Sequence, residues 1–363
     1  MGLFQEMATM GHERVVFCSN PDVGLQAIIA VHSTVLGPGL GGVRMWPYAN
    51  TDEALQDVLR LSRGMTYKAA AAGLTLGGAK AVILGDAKKD KTEALLRCFG
   101  QYVESLGGDY ITAEDVGTSV RDMETILAET RWVTGVSDAM GGSGDPSPVT
   151  AFGVLQGMKA AAEVAYGEAA LAGKSVAIQG LGNVGFHLAG YLQEEGATVI
   201  GADVYPQAQE RARAAGVEIV STDEILGVTC DIVAPCALGA TINSESIPTL
   251  KCRIVAGAAN NQLADEDRDG ADLHARGILY APDFVGNAGG LINVYNELMP
   301  SYNRERAKRM TLGIFDNMMR VFEISRAESI PTQIAAERLA EERIQKMKGL
   351  RPKHWGRLIN GAR

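Results

Sequence analysis

The sequence predicts an α/β fold organised as two domains, and three observations support this prediction. Short apolar, β-branched segments alternate with helical segments along nearly the whole chain, as in sheets that are covered by helices. The 363 residues are enough for two ordinary hydrophobic cores. A glycine-rich turn between a strand and a helix occurs only in the second half. We therefore expect one domain over residues 1–140, which also receives C-terminal helices from about 330–363, and a second domain over 141–329.

The N-terminal half is predicted to contain several strands and two main helices. Asn50 can cap the first helix, and Gly73 can end it. The second helix, over 91–106, stops at a pair of glycines. Short apolar runs predict strands at 14–18, 25–32, 42–45, 81–84 and 109–112. Because no phosphate-binding glycine pattern occurs here, we expect an α/β domain with another task.

The second half begins after a run rich in glycine and proline, 141–148, which is the predicted hinge. A helix over 150–165 leads into a series of buried strands, whose number is that of a doubly wound dinucleotide sheet. These strands are predicted at 174–179, 197–202, 217–220, 230–234, 252–256 and 278–280. Two amphipathic helices, 304–326 and 332–348, close the chain, and we expect them to pack back on the first domain or on a neighbouring subunit.

The glycine-rich turn has the pattern G-x-G-x-x-G in Gln-Gly-Leu-Gly-Asn-Val-Gly. Gly180 makes the tight turn, Gly182 lets the backbone approach a pyrophosphate, and Gly185 allows close helix–strand packing. The helix that begins there directs unpaired N–H groups at the phosphates. Asp203 ends the next strand, about 20 residues further on, and can bind both ribose hydroxyls. Val204 follows instead of an arginine, so this Rossmann domain is predicted to prefer NAD to NADP.

Composition excludes several classes of protein. The net charge of −9 and the pI of about 5.2 argue against nucleic acid or an anionic membrane as a partner. The basic tail, 343–363, is interpreted as a solvated or inter-subunit helix end. We find neither a signal peptide nor an apolar run of about 18 residues, so a soluble cytoplasmic protein is expected. The five histidines and five cysteines show no metal-ligand spacing, so no metal site is expected.

Five residues outside the glycine turn could carry chemistry. Lys68 and Lys80 lie among alanine, glycine and aliphatic residues, which is unusual for solvated lysines. Two ammonium groups in a shared apolar cleft repel each other and lose hydration, so one pKa should fall and that lysine could act as a general base. The alternative is that both side chains reach solvent. Asp115, at a strand end, suits proton transfer or a turn, and Asn260 and Asn261 suit a ligand or an Asx turn.

Six segments of the sequence resemble the glutamate/leucine/phenylalanine/valine dehydrogenases, and the resemblance runs from about residue 3 to residue 348, with the leucine branch matching best. The segments are Thr66-Tyr67-Lys68, Gly77-Gly78-Ala79-Lys80, Ala113-Glu114-Asp115-Val116-Gly117, Gly180-Leu181-Gly182-Asn183-Val184-Gly185, Ala234-Pro235-Cys236-Ala237-Leu238-Gly239-Ala240 and Ala258-Ala259-Asn260-Asn261-Gln262. The resemblance implies an N-terminal α/β catalytic domain joined to a Rossmann dinucleotide-binding domain. It also implies NAD-dependent oxidative deamination of an L-amino acid to a 2-oxo acid and ammonia, in a homo-oligomer that is commonly an octamer in the leucine branch.

The resemblance assigns roles to individual residues. It implies that Lys68 binds the substrate carboxylate, that Lys80 activates the attacking water, that Asp115 exchanges protons with the amino group, and that Asn261 touches substrate. The implied contacts with NAD are Gly180, Gly182, Asn183, Val184, Gly185, Asp203, Ser147, Thr150, Ala237, Leu238, Asn260 and Arg44.

The implied side-chain pocket is uncharged, so glutamate is disfavoured and a branched-chain amino acid, leucine first, is predicted. The pocket positions are Leu40, Ala113, Leu291 and Val294. Three departures from the leucine branch are Leu291 in place of valine, Gly286 in place of a bulkier residue and Ala87 in place of proline. The first two leave valine or an aromatic amino acid possible, because one methylene in such a pocket changes preference by only about 1–3 kcal/mol.

Two other classes of function compete with this reading. A non-catalytic NAD-binding sensor would need the glycines and Asp203 but not the two lysines together with Asp115. A 2-hydroxy-acid dehydrogenase would usually need a histidine–carboxylate pair and an arginine clamp, and none of the histidines lies in such a setting.

Overall fold

The computed structural model describes residues 2–349, and the chain forms two compact units. The first unit contains the residues up to Asp145, Val294–Arg304 and the described residues from Ala340 onward. The second unit contains Pro146–Asn293 and Glu305–Leu339. Most of the basic tail, and the part of the C-terminal region beyond residue 349 that was assigned to the first domain, lie outside the described residues.

The first unit is an α/β layer around a five-stranded sheet of order β1-β2-β4-β3-β5. Its elements are α1 (Leu3–Met10), β1 (Arg14–Asn20), β2 (Leu25–Ser33), β3 (Gly39–Trp46), α2 (Thr51–Ala71), β4 (Gly77–Leu84), α3 (Glu93–Ser105), β5 (Tyr110–Glu114) and α4 (Val120–Leu127). Strand β3 runs parallel to β4 and β5, whereas β2 is antiparallel to β1 and β4. The predicted Asn50 cap is confirmed, since its side chain accepts from the backbone N–H of Glu53 at 2.9 Å.

Strands β3 and β4 begin earlier than the predicted 42–45 and 81–84, and both begin at a glycine, Gly39 and Gly77. These glycines are needed for packing. A Cβ on Gly78 would overlap the backbone nitrogen of Thr66, and one on Gly77 would overlap the carbonyl oxygen of Ser33. Helix α2 therefore lies directly on β4, so the helix that carries Lys68 packs on the strand that carries Lys80.

The second unit is built on a six-stranded parallel sheet of order β11-β10-β9-β6-β7-β8, which confirms the six predicted strands and the Rossmann arrangement. The remaining elements of the chain, in order, are α5 (Ser147–Tyr166), β6 (Ser175–Gln179), α6 (Asn183–Glu194), β7 (Thr198–Ala202), α7 (Pro206–Ala214), β8 (Glu218–Ile219), β9 (Ile232–Pro235), β10 (Ile254–Val255), α8 (Glu266–Ala275), β11 (Leu279–Tyr280), α9 (Asp283–Gly286), α10 (Gly289–Tyr295), α11 (Arg304–Glu328) and α12 (Thr332–Met347). The strand order reverses between β6 and β9, and ligands of such sheets bind at the carboxyl ends beside this point.

Helix α5 begins at Ser147, inside the run that was predicted to be entirely a hinge loop. Proline is compatible with the first turn of a helix, because that turn needs no N–H from it, and Pro148 occupies such a position. Among the described residues, no helix is long and apolar enough to cross a membrane.

Candidate active site

The glycine turn of the second unit joins β6 to α6. Gly180 has φ = 99°, a left-handed conformation that favours glycine, and a Cβ there would lie 2.8 Å from the backbone nitrogen of Ala237. A Cβ on Gly185 would overlap the carbonyl oxygen of Gly180. By contrast, no atom lies within 4 Å of the position of a Cβ on Gly182. Packing within the unit thus explains two of the glycines, and the space beside the third fits the approach of a dinucleotide pyrophosphate.

Asp203 follows β7, and the backbone fixes its carboxylate. Its Oδ2 accepts from the N–H of Leu181 at 2.7 Å, and its Oδ1 accepts from the N–H of Tyr205 at 2.8 Å. Each carboxylate oxygen has a second lone pair, so the pair of oxygens can still accept from ribose hydroxyls. Arg211, which no sequence pattern indicates, donates to the carbonyl of Leu181 at 2.8 Å. Its guanidinium lies 4.2 Å from the ring centroid of Phe186. The glycine turn is therefore fixed from both β7 and α7.

The other predicted residues of the second unit lie near strand ends or helix starts. Ala237 and the largely exposed Leu238 follow β9. Ser147 and Thr150 lie in the first turn of α5, where the Thr150 hydroxyl donates to the Pro146 carbonyl at 3.0 Å.

Two side-chain amides, Asn260 after β10 and Asn287 after α9, form a hydrogen-bonded pair. The Asn260 side-chain oxygen accepts from Nδ2 of Asn287 at 2.8 Å. Asn287 is 3 % exposed, and its Oδ1 has no hydrogen-bond partner among the described residues. No local sequence pattern indicates a role for Asn287. A buried acceptor of this kind fits a carboxamide or hydroxyl donor of a bound cofactor.

The first unit brings Lys80 and Asp115 together. Lys80 on β4 is 6 % exposed, and its Nζ lies 3.2 Å from Oδ2 of Asp115, which directly follows β5. Strand β3 runs between β4 and β5, and Gly42 on this strand leaves room for the pair, since a Cβ there would lie 2.8 Å from the Cβ of Asp115. The Thr118 hydroxyl accepts from the N–H of Asp115 at 2.9 Å, which holds the turn after the strand.

Arg44 on β3 also donates from Nε to Oδ2 of Asp115, at 3.0 Å. The resemblance named Arg44 among the cofactor contacts, and within the first unit the structure places it on carboxylates instead. Lys68 is half-buried on α2. Of the predicted pocket residues, Leu40, Ala113 and Leu291 are buried and Val294 is half-buried.

Burial is the main influence on the pKa of Lys80, and it lowers that pKa below the ordinary value of 10.5. Asp115 opposes the change and Arg44 adds to it. Burial alone would raise the pKa of Asp115, but Lys80 and Arg44 outweigh it and hold this pKa below its usual range. The predicted fall in one lysine pKa agrees with the direction found for Lys80, for which burial is the largest cause and Arg44 a further one. The pair thus combines a carboxylate and an amine whose pKa values both lie below their ordinary ranges.

Within residues 2–349, no group of three or more histidine, cysteine, aspartate or glutamate side chains is arranged to hold a metal ion. A glycine turn with an acid at the end of the next strand, and a buried lysine–aspartate pair in a separate unit, are features typical of a nicotinamide-dependent dehydrogenase.

Comparison with known proteins identifies the family within this class. Residues 12–132 match the dimerisation domain of the Glu/Leu/Phe/Val dehydrogenases, and residues 202–348 match the glutamate/leucine/phenylalanine/valine dehydrogenase model. Residues 155–244 also match the NAD-binding domain of D-isomer specific 2-hydroxyacid dehydrogenases, a match that does not reach either lysine.

Individual relatives match over nearly the whole chain. Leucine dehydrogenase of Thermoactinomyces intermedius is 55 % identical over 352 residues, which cover 97 % of this chain and 96 % of that protein. Phenylalanine dehydrogenase of Caldalkalibacillus thermarum is 48 % identical over 341 residues, or 92 % of each chain. The crystal structure of L-tryptophan dehydrogenase from Nostoc punctiforme has a TM-score of 0.86 at 46 % identity, covering 96 % of this chain and 100 % of that one. The chain belongs to the glutamate/leucine/phenylalanine/valine dehydrogenase family.

Proposed function

We propose that this protein catalyses the reversible, NAD-dependent oxidative deamination of a branched-chain L-amino acid, leucine first, to its 2-oxo acid and ammonia. The observation that carries the proposal is the ion pair between Lys80 and Asp115, in which the lysine is almost wholly buried. A buried amine with a lowered pKa can act as a general base near neutral pH, whereas an ordinary surface lysine stays protonated there.

Each catalytic residue has a step. We assign Lys68 to the substrate carboxylate, which an ammonium group can anchor as a point charge. NAD, which the glycine turn and Asp203 would hold, would supply the hydride acceptor. Loss of the hydride from the α-carbon would convert the substrate into an iminium ion. Lys80 takes a proton from water while the water oxygen attacks the iminium carbon to give a carbinolamine. Asp115, 3.2 Å from Lys80, takes a proton from the substrate ammonium before the hydride leaves and later returns it to the amino group of the carbinolamine. The carbinolamine hydroxyl then gives its proton to the free Asp115 carboxylate as the C–N bond breaks, which releases ammonia and the 2-oxo acid.

The substrate preference rests on uncharged pocket positions, namely Leu40, Ala113, Leu291 and Val294, with Asn261 as a further substrate contact. The relatives named leucine dehydrogenase are more similar to this chain than the relatives named for aromatic amino acids. Gly286 packs near α5, and the nearest atom to a Cβ there is the Met318 methyl carbon at 3.8 Å. A larger residue at this position is therefore not excluded by backbone packing.

An absorbance assay for NADH formation tests the function, using L-leucine, L-valine, L-phenylalanine, L-glutamate and 2-hydroxyisocaproate as separate substrates. The expected result is reduction of NAD with the branched-chain amino acids and the highest kcat/KM for L-leucine. Turnover with the hydroxy acid alone would replace the proposal with a 2-hydroxy-acid dehydrogenase. NAD binding without turnover of any substrate would favour a sensor.

Three finer proposals accompany this function. The Asp203 carboxylate favours NAD over NADP because it would repel a 2′-phosphate, and parallel assays with both cofactors test this preference. The proposed assembly is a homo-octamer, as is common in the leucine branch of the family, and light scattering of the purified protein tests it by giving the oligomer mass. A cytoplasmic location is supported by five cysteines that form no disulfide among the described residues, and cell fractionation tests it.

A further inference from the structure

Arg44 lies between two carboxylates, of which only Asp115 belongs to the catalytic pair. Its Nε donates to Oδ2 of Asp115 at 3.0 Å, and its Nη1 donates to Oδ2 of Asp57 at 2.9 Å. A guanidinium group is planar and presents its donors in a fixed fork, so two simultaneous acceptors determine its orientation. The orientation of Arg44 against Asp115 is therefore set in part from Asp57 on α2.

Asp57 is itself held by neighbours on both of its oxygens. The Tyr48 hydroxyl donates to Oδ2 at 2.7 Å, and Arg60 donates to Oδ1 at 3.0 Å. The side chains of Arg44 and Asp57 are 22 % and 16 % exposed, respectively. Partly buried ion pairs with several hydrogen bonds keep their geometry, whereas exposed pairs contribute little. The contacts of Asp57 and Arg44 are therefore suited to holding the Asp115 carboxylate in one orientation, which an exposed surface ion pair would not do.

We propose that Asp57 is a positioning residue for the catalytic pair: through Arg44 it fixes the Asp115 carboxylate against Lys80 and balances the positive charge beside that lysine. The inference rests on the proposed function, because that function makes Lys80 the base. Asp57 touches no reacting atom in this scheme and acts only through Arg44 and Asp115.

The charges near Lys80 determine in which direction its pKa should change when Asp57 is neutralised. Arg44 lowers the pKa of Lys80, whereas Asp115 and Asp57 raise it. The other titratable groups that face these residues from the elements packed around them are Tyr48, Arg60, Tyr110 and Glu114. If Asp57 becomes neutral, the charge of Arg44 is less well balanced, and the pKa of Lys80 falls further. Because the neutral amine is the active base, the rising limb of the rate–pH profile must then move to lower pH.

The test is the profile of kcat against pH for Asp57→Asn. Asp52→Asn is the matched control, since it makes the same chemical change in the exposed first turn of α2. We expect the rising limb of Asp57→Asn to move down by about half a pH unit, a roughly threefold change in proton concentration. We also expect its kcat to fall several-fold, while Asp52→Asn keeps the wild-type profile. A limb at the wild-type position in folded Asp57→Asn would overturn the proposal.

A second measurement does not depend on turnover. Trace labelling with acetic anhydride, followed by mass spectrometry of the peptide that contains Lys80, gives the midpoint of its deprotonation directly. This midpoint should move down in Asp57→Asn even if the enzyme acted on another substrate, so the inference and the proposed function can fail separately. If Asp57→Asn does not fold, Tyr48→Phe replaces it, because it removes one hydrogen bond from Asp57 and no charge. A several-fold lower kcat at an unmoved limb is then expected, and wild-type kcat would refute the positioning role.

Discussion

Acid should destabilise the first unit through a pair of buried histidines, His12 and His32, each 8 % exposed. Their rings meet edge to face at a centroid distance of 4.8 Å. Nε2 of His12 lies 2.8 Å from the Ser62 hydroxyl, and Nδ1 of His32 lies 2.8 Å from the Thr66 hydroxyl, so both rings anchor α2. Within residues 2–349, Nδ1 of His12 has no hydrogen-bond partner, and protonation would place a charge on a buried atom without an acceptor.

Burial is the main cause that lowers the pKa of each histidine from 6.5 to about 4. His32 lowers the pKa of His12 further, and Arg63 lowers both. The unfolded chain binds these protons near pH 6.5 and the folded chain only near pH 4, so the free energy of unfolding falls as pH drops between these values. Linkage gives a loss of about 2 kcal/mol for each histidine between pH 7 and pH 5, and about 4 kcal/mol for the pair if they act independently.

The perturbation is His12→Gln, whose side-chain amide can still reach Ser62, and the assay is urea unfolding at pH 7 and pH 5. Tryptophan fluorescence suits this assay, because Trp46 and Trp132 both lie in the first unit. The variant should lose about 2 kcal/mol less than the wild type between the two pH values, whatever its stability at pH 7. His187→Gln, on α6 of the second unit, is the control. An equal loss in His12→Gln and the wild type would refute the reasoning.

Three further predictions concern the two sites. Lys80→Ala should lose roughly 10²-fold or more in kcat, while fluorescence titration shows NADH binding retained; near-normal turnover would remove Lys80 as the base. Gly182→Val should weaken NADH binding with little change in Tm, because its side chain enters the open space beside the turn. Gly185→Ala should lower Tm, because its Cβ would overlap the carbonyl of Gly180. A lower Tm for Gly182→Val together with an unchanged Tm for Gly185→Ala would contradict the assigned roles. Asp203→Asn should raise KM for NAD and reduce the ratio of kcat/KM with NAD to kcat/KM with NADP. An unchanged ratio would show that other residues select the cofactor.

Local signals in the sequence were sufficient for much of the fold. The glycine turn, the six apolar strands of the second sheet and the Asn50 cap depend on residues within a few positions of each other, and all three are present in the structure. Strand ends and helix starts were less predictable wherever glycine or proline belongs to an element, as at the start of β4 and of α5.

The order of the strands in the first sheet decides which side chains contact each other at the candidate active site. The sequence alone singled out Lys80 and Asp115 as chemically unusual, but it gave no reason to join Arg44 to a carboxylate 71 positions further along the chain. The sheet order places β3 between β4 and β5, so Arg44 from β3 reaches the same Asp115 oxygen that pairs with Lys80. The periodicity of apolar residues indicates which face of a helix or strand is buried. Which residues that face contacts depends on the pairing of strands that are distant in the sequence. The residue types were therefore determined by the sequence, and the charge balance that sets their pKa values was decided by the tertiary structure.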